Sequence, residues 1–122
     1  SFHYGMDKFY KYGLTMINVI NDKYCKKLLI LLPGQKHPAQ FHKIKKESFF
    51  ILFGSVNLKI NNKTIKLKSG KLKTINARDV HEFSSPKGAI IEELSTTSTK
   101  SDSYYLDDKI NKNKDRKTFI YL

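Results

Sequence analysis

The sequence predicts an all-β domain, a sandwich or small barrel, on three observations. Short runs rich in Ile, Leu, Val, Thr and Phe follow one another, punctuated by Gly, Pro and Asn. One pair of these runs alternates cleanly apolar and polar on either side of Asn61-Asn62. Helical spacing is confined to one turn near the start, at residues 6–12.

Each element follows from local pattern. Residues 13–20 are rich in β-branched side chains and half alternating. Residues 24–32 form an apolar run stopped by Pro33-Gly34, a turn signal. Gln40 and His42 then sit two apart on a strand. Residues 49–53 are apolar and break at Gly54; residues 55–60 and 64–68 form the hairpin. After Ser69-Gly70 come strands at 71–75 and 80–84, and Pro86-Lys87-Gly88 turns into a last one at 89–94. From Ser95 onward the composition is polar. It reads as an extended C-terminal tail with one helical turn, tied down by Tyr104, Tyr105, Phe119 and Tyr121. With 122 residues, the chain makes one domain, residues 1–122.

Composition excludes several classes. No apolar run is long enough to span a membrane. A single cysteine, Cys25, excludes an internal disulfide framework and a Cys-rich zinc module, and fits the reducing cytoplasm. The opening SFHYGMDKFY lacks the apolar stretch of a signal peptide. The net charge of +12 comes almost entirely from Lys, with only Arg78 and Arg116 offering a guanidinium fork. Scattered Lys on polar strand positions reads as a solvated surface and argues against a nucleic-acid groove. A basic rim would still attract an anionic small molecule such as a sugar acid.

Four polar residues inside the strand pattern can meet. Gln40 and His42 share a face, as do His81 and Phe83, but Glu47 follows His42 by five positions, which reverses its parity. A bend within residues 43–46 would aim Glu47 at the same point. Two imidazoles, a carboxylate and an amide oxygen suit a divalent ion of Zn, Mn, Fe or Ni, with positions left for substrate. Spacing alone leaves open the plainer reading, in which these are structural or surface residues. His3 and His37 read as surface residues, His37 in a loop between Lys36 and Pro38.

The stretch from Gly34 to Gly54 resembles the first motif of the cupin superfamily. That motif is a Gly, five residues, His-x-His, a short gap, Glu, six residues and Gly; here Gln40 stands in place of the first His. The second motif, Pro-x-Gly-x-x-His, is matched at His81 and departs at Asn76 and Arg78. The resemblance implies a single conserved β-barrel of the jelly-roll type, and it gives Gln40, His42, Glu47 and His81 the metal-ligand roles. HYG near the start, the segment from Cys25 to Phe49 and the closing IIEELSTTSTKSDSYYLDDKI are similar to the C-terminal cupin module of sialic-acid-synthase-like proteins. Small D-lyxose isomerase-type cupins share the closing signature. This implies a carbohydrate or sugar-acid ligand, metal-dependent sugar isomerase activity, and a place as C-terminal module of a longer protein. The other reading is a non-catalytic module for dimerisation or sugar sensing.

Isomerisation needs a base beside the polarised carbonyl. Glu92 and Glu93 are adjacent on the last strand, so one faces inward, and Glu92, between two large apolar neighbours, is the expected one. Lys46, Tyr104 and Tyr105 are candidate sugar contacts, although the two tyrosines equally suit pinning the tail to the barrel. A homodimer is expected, with the strand at residues 14–20 as an edge covered by the partner.

Overall fold

The computed structural model describes residues 13–107 and 117–122. The expected helical turn at residues 6–12 lies outside them. The strands are β1 (Leu14–Asn21), β2 (Tyr24–Leu31), β3 (Lys36–Phe41), β4 (Glu47–Ile60), β5 (Lys63–Lys68), β6 (Leu72–Ile75), β7 (His81–Ser84), β8 (Ala89–Thr96), β9 (Tyr104–Tyr105) and β10 (Lys117–Tyr121). Among the described residues the one helical element is a 3-10 turn at Lys100–Asp102, within the tail where a single turn is expected.

Two curled sheets face each other and share β4. Its first half pairs with β6 and β8, and the sheet continues through β2 and β1 to β10. Its second half pairs with β5 and β7, and that sheet continues to β3 and β9. The sequence shows two runs broken at Gly54; the structure makes them one strand that changes sheet there. Gly54 has a positive φ of 78°, and a Cβ at this position would collide with the Gly88 carbonyl oxygen. A register shift between Ile51 and Phe53 adds to the turn of the strand. At the hairpin, Asn61 (φ 46°) and Asn62 (φ 70°) are both left-handed, the geometry of a type I′ turn.

Leu29, Leu31, Phe49, Ile51, Leu58 and Phe83 are among the side chains that fill the space between the sheets. Each stabilises the fold by about 1.5–3 kcal/mol relative to exposure. The inward rows then change character near one end of the barrel. Lys27 precedes Leu29 in β2, Glu47 precedes Phe49 in β4, His81 precedes Phe83 in β7, and Glu93 follows Ile91 in β8; all eight are buried. The edge at β1, expected from sequence to be covered by a partner, is covered instead by β10 of the same chain, which pairs with it in parallel, from Leu14↔Lys117 to Asn18↔Tyr121. No pattern in the polar tail signals that this late segment returns to the first strand.

Candidate functional site

Glu47 opens β4, His81 opens β7, and His42 follows the last residue of β3. The bend expected between His42 and Glu47 is present, and a distant residue builds it. The Asp102 carboxylate accepts the backbone N–H groups of Lys43 (2.9 Å), Ile44 (3.2 Å) and Lys45 (2.9 Å). Burial would raise the Asp102 pKa, but these three donors hold it below its ordinary value. The backbone of Asp102 also serves the site, since its carbonyl oxygen accepts a hydrogen bond from His42 Nδ1 at 2.9 Å.

A second loop supports His42. Arg78 N–H donates to the His42 carbonyl oxygen at 2.5 Å, and Arg78 is left-handed at φ 70°. This is the position where the second motif carries Gly, so the chain keeps the conformation and loses the residue that adopts it freely.

The three side chains converge. Single ligand atoms of His42, Glu47 and His81 all lie within 4.8 Å of one another, and all three residues are buried. His81 Nε2 is 3.0 Å and His42 Nε2 3.6 Å from Glu47 Oε1. Neither contact is a well-formed hydrogen bond. Among the described residues, His42 Nε2, His81 Nε2 and both Glu47 oxygens are the buried side-chain atoms left without a hydrogen-bond partner. Native proteins rarely leave such atoms orphaned, because each costs about 1–3 kcal/mol.

The imidazole tautomers fit the same point. His42 Nδ1 faces the Asp102 carbonyl and His81 Nδ1 the Asp79 carbonyl at 3.0 Å. A carbonyl only accepts, so each Nδ1 carries a hydrogen there and each ring turns its Nε2 toward Glu47, the orientation of metal-ligating histidines. Burial would raise Glu47, yet His42, His81 and the Lys45 ammonium hold its carboxyl well below the usual range. Burial likewise acts to lower His81, and Glu47 outweighs it, leaving His81 raised. Two nitrogens and an anionic oxygen, preoriented and dry, fit a divalent transition ion with coordination positions left open.

The other expected residues divide. Gln40 is buried and lies opposite His81 in the β3–β7 register, but its amide nitrogen sits 3.5 Å from His37 Nε2. His37 is no surface residue: it is 2% exposed and stacks on Phe83 at 4.8 Å. The β3–β7 register shifts between His37 and Gln40, so two residues three apart both turn inward. Of the two glutamates, the buried one is Glu93; Glu92 points outward to Lys26 at 3.4 Å. Apolar neighbours on both faces of β8 hide this parity from the sequence. Lys46 is exposed and lines a shallow groove with Tyr24, Ser48 and Leu94. Tyr104 stacks on Phe41 at 5.1 Å, and Tyr105 lies 5.9 Å from His37, so both pin the tail to β3.

Sequence reading missed Lys45. Its ammonium is buried between Glu47 (3.1 Å) and Glu93 (3.3 Å). Burial would lower its pKa, but Glu93 and then Glu47 raise it above the ordinary lysine value. Burial and the nearby Glu47 charge raise Glu93, against Lys45 and Lys27. The spacing of Lys45 two before Glu47 is the one sequence signal that places both on one side.

No protein-family model matches this sequence. Solved structures do match its shape. KdgF from Halomonas sp. superposes with a TM-score of 0.69 at 10% identity, over 83% of this chain and 96% of its own. The L-ribose isomerase of Geodermatophilus obscurus gives 0.69 at 17% identity, over 79% of this chain and 63% of that one. The cupin domain of Schizosaccharomyces pombe Cnp3 gives 0.63 at 14% identity, over 68% of this chain and 64% of that one. The barrel has the cupin fold. At these identities the likeness concerns the fold alone. The His42, Glu47 and His81 cluster lies in the interior of this cupin barrel, between its two sheets. No helix among the described residues is long and apolar enough to cross a membrane.

Proposed function

We propose that this cupin domain binds a divalent metal ion through His42, Glu47 and His81 and acts on a carbohydrate, as a metal-dependent sugar isomerase. The observation that carries the reading is that buried ligand atoms of His42, Glu47 and His81, without hydrogen-bond partners, lie within 4.8 Å of one another. A metal held there would polarise a sugar carbonyl. Glu93, kept protonatable by burial, is the inward carboxylate that would move a proton beside it, with Lys45 at 3.3 Å to steady its charge. The L-ribose isomerases among the structural matches support the substrate class. The closing signature read in the sequence supports a sugar acid of the sialic-acid kind and a place as module of a longer protein, and the lone Cys25 suits a cytoplasmic setting.

The test is incubation of purified protein with pentoses, hexoses and Mn, Zn, Fe or Ni, followed by NMR for the ketose. No turnover with any metal discards the enzymatic reading.

A second reading, a dimerisation or sugar-sensing module without turnover, draws support from large apolar side chains left exposed on the barrel. Phe53 is 64% and Leu72 55% exposed, on neighbouring strands of one sheet. Two copies pairing over that face would cover them. Light scattering that finds only monomer at high concentration removes this reading.

A further inference from the structure

Lys45 is the residue that a His-Glu-His metal site does not need. Its ammonium lies 3.1 Å from Glu47 Oε2 and 3.3 Å from Glu93 Oε2, and the bond to Glu93 has hydrogen-bond geometry. Two carboxylates buried near one another repel, and a lone ammonium in a barrel interior is costly; one cation between them relieves both problems. Lys27 faces Glu93 across the β2–β8 register, with its own ammonium hydrogen-bonded to Ser98 Oγ at 2.9 Å. Two lysines and two glutamates therefore already balance this end of the barrel. A divalent cation held by Glu47 Oε1 and the imidazoles would have to share the Glu47 charge with that ammonium.

We propose that Lys45 is a built-in counter-ion for the metal site, neutralising Glu47 in the metal-free protein and ceding it to an arriving divalent ion while keeping Glu93. The inference rests on the metal reading above. Toward the metal Glu93 acts through Lys45: it holds the lysine when the metal takes Glu47. The two residues act on metal affinity with opposite sign. Removing the lysine frees Glu47 and leaves Lys27 as the one cation beside two carboxylates, so the metal binds more tightly and the fold comes to depend on it. Removing the Glu93 charge leaves Lys45 with Glu47 as its partner, so the metal binds more weakly.

Calorimetric titration of chelator-treated protein with Mn, Zn and Ni ions tests this on the wild type, K45M, E93Q and K45M/E93Q, alongside thermal melts with and without metal. K45M is expected to bind at least about tenfold more tightly than wild type and E93Q at least about tenfold more weakly. The K45M melting temperature should also rise more than that of wild type when metal is added. The double variant keeps the net charge of the cluster and covers the case in which K45M fails to fold without metal; it should bind more tightly than both E93Q and wild type. Binding by K45M alone, with none by wild type, overturns the proposal, because Lys45 then keeps Glu47 from the ion and does not cede it. Equal or weaker binding by the lysine-free variants overturns it and leaves the metal site standing. No binding by any of the four removes the counter-ion and the metal site together.

Discussion

The two ends of the barrel interior are made by the same strands and obey different rules. At one end Ile51, Leu58 and Ile91 are fully buried, and each can be exchanged for another apolar group of similar volume at modest cost. At the other, two residues from Leu29, Phe49, Phe83 and Ile91 along β2, β4, β7 and β8, the inward positions are Lys27, Glu47, His81 and Glu93. There the charges are tolerable only as a set, since removing one member strands its partner in a dry interior. The contrast teaches that the apolar end supplies the stability against which the polar end can hold unsatisfied donor atoms in a fixed geometry.

Substitutions at four positions probe that division, from the largest expected effect to the smallest. Ile51→Ala should lower stability by about 2–5 kcal/mol in a denaturant melt. Its effect on metal affinity per folded molecule should be small; a large one would erase the distinction between the two ends. Glu47→Gln removes the anionic donor and should weaken metal binding more than about 100-fold, beyond the range seen for outer-shell partners. Calorimetry reads this directly.

Asp102→Ala should cost about 1–3 kcal/mol by leaving three amides of the 43–45 bend without their acceptor. Metal affinity should fall about tenfold as the bend loosens. The sign of the pH effect follows from its lowered pKa: the stabilising contribution is complete above about pH 4 and is lost as pH falls through the lowered folded value. The stability gap between wild type and Asp102→Asn should therefore be full at neutral pH and shrink in acid melts. Arg78→Gly relieves a left-handed residue and keeps the N–H that holds His42. The gain should be roughly 0.5–1 kcal/mol after the added freedom of glycine in the unfolded chain, with metal affinity unchanged.

Much of this molecule is legible in its sequence because alternation and turn chemistry are local. The hairpin at Asn61-Asn62 and the strands on either side of Pro33-Gly34 fall where the residues place them. His42, Glu47 and His81 are legible through motif spacing, and the bend they require is where parity demands it. What stays hidden depends on distance or on two equivalent faces. Asp102 meets Lys43 from 59 residues away, and nothing near it in sequence announces that contact. Glu92 and Glu93 both have apolar flanks, so only packing decides that Glu93 turns inward. His37 reads as a loop residue because the irregular register at Pro38 cannot be foreseen from one residue of spacing. Gln40 keeps its expected position on β3, while its amide goes to His37.

The pairing of β1 with β10 has a consequence for how the protein is made. Met16 waits for Phe119, so on the ribosome a row of open amide and carbonyl groups stays exposed while nearly every other strand is translated and packed. Such a rim invites association between nascent chains. Biogenesis of this barrel therefore carries its greatest hazard just before the closing strand emerges from the exit tunnel.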